Sequence, residues 1–234
     1  MLNKITKESM GKSNLGWLQS RFHFSFAEYR NPDNVNFGVL RVLNDDIILP
    51  RSGFDMHPHA NMEIVSYVID GEISHKDSMG NEETLGRGEV QYMSAGDGVV
   101  HAEYNMGDEN LRLLQIWIIP PEKGLDRLYG SHRYTEDERK NKLLNIVSNQ
   151  DGNSKIKLYQ DVNFYVSELD EGKSMEFDIK DNRQIYYVQI EGSAKINGVE
   201  LNFGDAMEIT DESKLRVEPI TKSHFLFIEM EQSA

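Results

Sequence analysis

The sequence predicts an all-β protein made of two tandem β-units, each a sandwich or a barrel. Three observations carry this. Strand-length segments rich in β-branched and aromatic residues alternate with glycine-bearing turns. One strand-and-turn pattern occurs twice. The best helix start, Thr135-x-x-Glu138, is a capping box before a short charged run.

Residues 37–43 and 63–69 are the first clear strands, and residues 89–93 and 113–119 follow. Turns fall at Asp70-Gly71, Met79-Gly80-Asn81, Gly86-Arg87-Gly88 and Gly96-Asp97-Gly98, where glycine supplies positive φ without steric cost. Many short strands closed by such turns favour a sandwich or barrel. The stretch from Tyr67-Val68-Ile69-Asp70-Gly71 to Leu85-Gly86-Arg87-Gly88-Glu89 returns as Val188-Gln189-Ile190-Glu191-Gly192 to Leu201-Asn202-Phe203-Gly204-Asp205. Both copies read as an apolar strand, an acidic-Gly turn and L-x-x-G-[DE], the mark of a duplicated unit. We expect the units to be residues 1–132 and 133–234.

Length and charge bound the function. A chain of 234 residues can bury two cores of ordinary size. Its net charge of −14, with no basic stretch to offset it, argues against direct nucleic-acid binding. Without cysteine there are no disulfides and no thiolate metal sites. Residues 1–14 are polar and no apolar run approaches a membrane span, so a cytoplasmic protein away from the membrane is expected.

Two short clusters carry the chemistry: His57-Pro58-His59 and His101-Ala102-Glu103. In extended chain, residues i and i+2 project to one face, so each cluster aims two ligands at one point. The 42 positions from His59 to His101 leave room for a return through several strands. Three imidazoles and a carboxylate suit one iron, copper, nickel, cobalt, manganese or zinc ion and not a calcium or magnesium site. Four protein ligands on a metal that accepts five or six leave an open position, which points to chemistry.

The repeat tests whether a second site exists. His57 and His59 lie 14 and 12 residues before Gly71, and the matching positions before Gly192 are Asp178 and Lys180. His101 and Glu103 lie 13 and 15 residues past Gly88, matched after Gly204 by Val217 and Pro219. The only histidine beyond residue 132 is His224, so one metal per chain is expected, in the first unit. Among other residues, Glu63 is the expected partner for an imidazole N–H, with a structural salt bridge as the equal alternative. His75 is expected in a turn near the barrel rim, and His23 and His132 in packing or surface roles. Met56, Met62, Met79, Met93 and Met106 read as fillers of core gaps.

The runs His57-Pro-His-Ala-Asn-Met-Glu-Ile-Val-Ser-Tyr-Val, His75-Lys-Asp-Ser-Met-Gly-Asn and Gln91-Tyr-Met-Ser-Ala-Gly-Asp-Gly-Val-Val-His-Ala-Glu-Tyr-Asn closely resemble the pirin family of bicupins. Gly16-Trp17-Leu18, Phe24-Ser25-Phe26-Ala27 and residues 40–46 extend the resemblance over the first half, and the second half matches more loosely. Phe22-His23 and Arg51-Ser52-Gly53-Phe54 depart from the family pattern without touching a ligand position.

The resemblance implies two jelly-roll cupin barrels of the double-stranded β-helix type, the second degenerate. It also implies metal ligation by His57, His59, His101 and Glu103, and it puts iron first among the metals. Bacterial members of the family are similar to quercetin 2,3-dioxygenases, which open a flavonol with O₂ and release carbon monoxide. That implies a planar aromatic substrate, with Glu103 as the base for its 3-hydroxyl. Two alternatives stand beside it: a metal-dependent regulatory protein that binds a transcriptional or metabolic partner, and another cupin reaction such as an isomerisation. Pocket polarity separates these, because an apolar, aromatic pocket suits a flavonoid whereas lysines and arginines suit a sugar or an acid.

Overall fold

A computed structural model describes residues 1–232. The chain divides into two compact units, Gly11–Tyr134, and Met1–Met10 together with the chain from Thr135 onward. The strands are β1 (Leu2–Ile5), β2 (Gly11–Asn14), β3 (Leu18–Phe22), β4 (Leu40–Ile48), β5 (Ser52–His59), β6 (Glu63–Asp70), β7 (Ile73–Asp77), β8 (Glu82–Leu85), β9 (Val90–Ser94), β10 (Val99–Asn105), β11 (Leu111–Ile118) and β12 (Leu128–His132). After the single-turn helix α1 (Glu136–Arg139) come β13 (Leu144–Asn149), β14 (Ile156–Leu158), β15 (Val162–Leu169), β16 (Met175–Asp178), β17 (Arg183–Glu191), β18 (Ala194–Ile196), β19 (Val199–Leu201), β20 (Ala206–Ile209), β21 (Lys214–Pro219) and β22 (Ser223–Glu231). The capping box forms, with the Thr135 backbone N–H donating to Glu138 Oε2 at 2.7 Å. Among the described residues no helix is long and apolar enough to cross a membrane.

Each unit pairs a larger sheet with a four-stranded one. The first unit has the order β12-β9-β6-β11-β4-β3-β2 and a second sheet β5-β10-β7-β8. In the second unit β1-β20-β17-β22-β15-β13-β14 accompanies β16-β21-β18-β19. The core β9-β6-β11-β4 is thus repeated as β20-β17-β22-β15, and β5-β10-β7-β8 as β16-β21-β18-β19. The edge of β9 is covered by β12 and the equivalent edge of β20 by β1, which removes an exposed row of hydrogen-bonding groups in each case. Residues 1–10, which the sequence reading placed with the first unit, complete the sheet of the second. Leu2 pairs with Ile209 and Ile5 with Ala206, and Lys4 Nζ reaches Asp205 Oδ2 at 3.0 Å.

The repeated sequence pattern has a physical cause. In L-x-x-G-[DE] the acidic residue closes the turn on itself. Glu89 accepts the Gly86 N–H on its carboxylate at 2.8 Å and donates its own N–H to the Gly86 carbonyl at 3.0 Å. Asp205 and Asn202 repeat the exchange at 3.0 and 2.9 Å. The motif glycines then donate to the preceding strand, Gly88 to Val68 O at 2.8 Å and Gly204 to Gln189 O at 2.7 Å. Gly71 and Gly192, with φ of 74° and 72°, occupy equivalent turns. A Cβ there would collide with the carbonyls of Asn110 and Lys222 as well as strain the backbone.

Alternation places the first unit's core. Leu18, Ile48, Val68, Ile73, Leu85, Leu111 and Leu113 form one apolar cluster, and Ile64, Met93 and Val99 another. On β6 the inward residues run Ile64, Ser66, Val68, and on β11 Leu113, Gln115, Trp117. A polar position therefore interrupts the apolar face of each strand between the two clusters. Met62, Met79 and Met93 pack in the second cluster as expected of gap fillers. Met56 and Met106 do not, because both are more than half exposed.

Candidate metal centre

Antiparallel pairing of β5 and β10 brings the two sequence clusters together, with His57 opposite His101 and His59 opposite Val99. A bulge follows, because the next pair is Glu103 with Phe54, so Asp55 and Met56 together face Ala102. The bulge turns the Asp55 carbonyl toward His57, whose Nδ1 lies 2.7 Å from it. That N–H donation fixes the tautomer and leaves Nε2 as the free lone pair.

The imidazole centroids of His57, His59 and His101 lie 4.5–4.9 Å apart. Their ligand atoms fall within 4.8 Å of one another. Trp117 holds the His59 ring edge-on at 4.8 Å. His101 is 1% exposed, and neither of its ring nitrogens has a hydrogen-bond partner. A buried unpaired imidazole is costly, and a metal ion relieves that cost. Burial, reinforced by His57 and His75, pulls the His101 pKa down to about 3, and burial with His101 and His57 pulls His59 down to about 4. Both rings are therefore neutral at physiological pH, the form that binds a metal. The donor set fits a transition metal.

Glu103 projects from β10 on the same side as His101 and is 2% exposed. Three side chains hold it: Gln115 Nε2 donates to Oε2 at 2.7 Å, and Ser66 Oγ and Gln91 Nε2 donate to Oε1 at 3.1 and 3.3 Å. Its oxygens group with His101 and His75 within the same 4.8 Å limit. His75 lies in β7 and not in a rim turn, paired with Glu103 and 1% exposed. Its Nδ1 accepts from Gln91 Nε2 at 3.0 Å, and its Nε2 donates to Asp77 Oδ2 at 3.2 Å. With both nitrogens engaged, His75 orients the network and leaves ligation to the other three imidazoles. Burial works against the Asp77 carboxylate, but hydrogen bonds from Asn81, His75 and Met79 outweigh it and hold its pKa below the ordinary value.

Glu63 is buried and accepts from Tyr92 Oη at 2.7 Å. His23 is buried. Ser66, Gln91 and Gln115 are the residues around Glu103 that sequence reasoning missed. Their signal was present as single polar residues on otherwise apolar inward faces.

The site opens into a cavity of about 250 Å³ within the first unit. Its walls carry Leu18, Phe22, Phe26, Phe54, Ile64 and Trp117 beside the ligand residues, and neither lysine nor arginine is among the described lining residues.

In the second unit the register between β16 and β21 runs unbroken, Met175 with Val217 to Asp178 with Lys214. Through the strand pairings, the positions of His57, His59, His101 and Glu103 are taken by Phe177, Ile179, Leu215 and Val217. This corrects the counting from glycines, which pointed to Asp178, Lys180, Val217 and Pro219. The path from Phe177 to Gly192 is one residue longer than that from His57 to Gly71, and the path from Gly204 to β21 is two residues shorter than its counterpart. All four replacements are apolar.

Residues 4–118 match the Pirin family, and residues 145–230 match the quercetinase C-terminal cupin domain. Quercetin 2,3-dioxygenase of Escherichia coli (strain K12) is 38% identical, with 94% of each chain covered. A pirin-like protein of Caulobacter vibrioides is 36% identical over 98% of this chain and 99% of that one. The crystal structure of the bacterial pirin YhhW from Escherichia coli in complex with nickel(II) is similar throughout, with a TM-score of 0.94, 35% identity and full coverage of both chains.

Proposed function

The chain belongs to the pirin family of bicupins, and from that footing we propose that it is a metal-dependent dioxygenase that opens the central ring of a flavonol with O₂ and releases carbon monoxide. One observation carries the reading. Three imidazoles, two of them held neutral by burial, and a hydrogen-bonded carboxylate stand at a cavity walled largely by aromatic and aliphatic side chains, without lysine or arginine among its described lining residues. Such walls accept a planar aromatic molecule and offer nothing to a sugar phosphate or an organic acid. The name of the Escherichia coli relative supports the same reaction.

His57, His59 and His101 hold one divalent transition metal, with Glu103 as the fourth ligand. Iron is the first candidate, and nickel stands beside it from the similar Escherichia coli structure. When bound, the metal supplies a Lewis acid next to the substrate and to O₂. Glu103 takes the proton of the flavonol 3-hydroxyl as general base. Ser66, Gln91 and Gln115 keep its carboxylate aimed, so that the proton acceptor needs no reorganisation when substrate arrives. The apolar walls exclude water from the ionised substrate. A cavity of about 250 Å³ lies just below the range for drug-sized ligands, so one small polycyclic molecule fills it.

The test is elemental analysis of the purified protein coupled with a flavonol assay run with and without O₂ and scored for carbon monoxide. Oxygen-dependent flavonol loss with matching carbon monoxide is the expected result. A metal-loaded protein that leaves flavonols intact under O₂ replaces this reading with the regulatory one.

A further inference from the structure

The inner face of the four-stranded sheet carries a square of titratable side chains. Between β7 and β10, Asp77 lies opposite His101 and His75 opposite Glu103, and alternation turns all of them to the same side. All are buried. Two corners belong to the metal centre, and the other two stand directly beside it.

Gln91 reaches this square from β9 in the other sheet of the unit. Its Nε2 lies 3.0 Å from His75 Nδ1 and 3.3 Å from Glu103 Oε1, whereas its Oε1 is buried without a hydrogen-bond partner. A primary amide offers two N–H groups and one carbonyl. Here both hydrogens are engaged and the oxygen is left bare. An unpaired buried acceptor costs free energy, so the orientation is imposed by the neighbours.

The imposing contacts run back to the turn after β7. Asp77 Oδ1 accepts the backbone N–H groups of Met79 and Asn81 at 2.9 and 3.1 Å, which fixes the carboxylate, and its Oδ2 then stands 3.2 Å from His75 Nε2. Facing a carboxylate, Nε2 must carry the proton, so Nδ1 is left as an acceptor. Gln91 can meet that acceptor and the Glu103 carboxylate together only with its nitrogen. Turning the amide over would set its oxygen against both. None of Asp77, His75 and Gln91 is among the described residues lining the cavity, so they act on Glu103 from behind.

We propose that Asp77, His75 and Gln91 are positioning residues for Glu103: the Asp77 carboxylate sets the His75 tautomer, the tautomer sets the direction of the Gln91 amide, and the amide supplies the hydrogen bond that holds Glu103 Oε1 in place. This inference rests on the reading of Glu103 as a metal ligand and deepens it. It does not depend on which substrate the metal serves.

The experiment pairs nuclear magnetic resonance of the histidine ring nitrogens with nickel(II) affinity measured by chelator competition. In the metal-free unaltered protein the proton–nitrogen correlations of His75 should show a proton on Nε2 and none on Nδ1. A proton on Nδ1 overturns the proposal, and this arm needs no variant to fold. In Asp77→Asn the Met79 and Asn81 N–H groups keep the amide oxygen on their side, so the amide nitrogen faces His75 and the proton should move to Nδ1. Nickel affinity should then fall by roughly tenfold, the low end for residues that orient a ligand. Gln91→Leu should cost roughly the same factor, and the double variant no more than either alone, because all of them lose the same hydrogen bond. A switched tautomer with unaltered affinity, or losses that multiply in the double variant, overturns the inference alone. Affinity lost in Asp77→Asn without a change of tautomer gives Asp77 a structural part only and overturns it too. Unaltered nickel affinity in Glu103→Gln overturns the ligand reading and this inference together.

Discussion

The two units are built on the same strands and the same turns, yet a strip of residues across the middle of their inner faces has opposite character. In the first unit the strip is His57, His59, His101, Glu103, Ser66, His75, Gln91 and Gln115. By register and turn position its counterpart in the second is Phe177, Ile179, Leu215, Val217, Tyr187, Ile196, Met207 and Phe227. These second-unit residues all belong to or pack against one apolar cluster, and the single hydroxyl among them, Tyr187 Oη, is satisfied by Gln189 at 2.8 Å. Burying a large apolar side chain is worth about 1.5–3 kcal/mol. The second unit collects that stabilisation across its strip. The first forgoes it and keeps a cavity with unpaired polar atoms, which is the usual cost of a working site.

The sharpest way to break this contrast is to give the first unit a residue of the second. His101→Leu should abolish metal binding, with metal content in elemental analysis falling to the level of a chelated control. Full metal content in that variant would move the centre away from the three imidazoles. Next in size is Glu103→Gln, which keeps the shape but not the base. Its turnover of flavonol should drop by about 10²–10⁴-fold while most of the metal is retained, and rates equal to the unaltered protein would remove Glu103 from the proton transfer.

The reciprocal exchange, Phe227→Gln, places an amide in the apolar strip of the second unit. Denaturant unfolding should show a loss of about 3–5 kcal/mol, and a loss below about 1 kcal/mol would mean that the strip is not the core it is taken to be.

The smallest effect concerns the shared turn. Burial opposes the charge of Asp205, but the N–H groups of Asn202 and Lys7 and the Lys4 ammonium outweigh it and hold its pKa below the ordinary 3.8. Because the folded value is the lower one, the stabilisation is complete above about pH 4 and is lost as pH falls through the folded pKa. Asp205→Asn should therefore cost about 1 kcal/mol at neutral pH and flatten the acid end of the stability curve. Glu89→Gln, whose turn lacks the link to β1, should cost less when measured in the same way.

The strand pattern was legible because inward and outward residues alternate on half-buried strands, and the ligand positions because H-x-H and H-x-E aim at one side of extended chain. His75 was misplaced because Asp77, Gly80 and Asn81 make its neighbourhood read as a turn. They form the turn that follows β7, and Asp77 serves both the turn and the imidazole. Ser66, Gln91 and Gln115 were missed because one polar residue in an apolar run breaks the pattern without naming its partner. The counterparts of the ligands were missed by one or two positions because one connection is a residue longer and another two residues shorter, and such changes leave no mark in composition. Nothing in residues 1–10 announced that their partner strand lies some two hundred residues away.

That last pairing sets an order of assembly. Leu2 and Ile209 are the two ends of a closure that spans the whole first unit in sequence. A chain emerging from the ribosome can finish the first unit while residues 2–5 have nothing to pair with. The second unit reaches its full sheet only when the earliest and latest portions meet, a contact of high sequence separation that folding theory places among the slow steps. In topological terms the first unit is an insertion inside the other, and any change within residues 1–10 acts on the second unit.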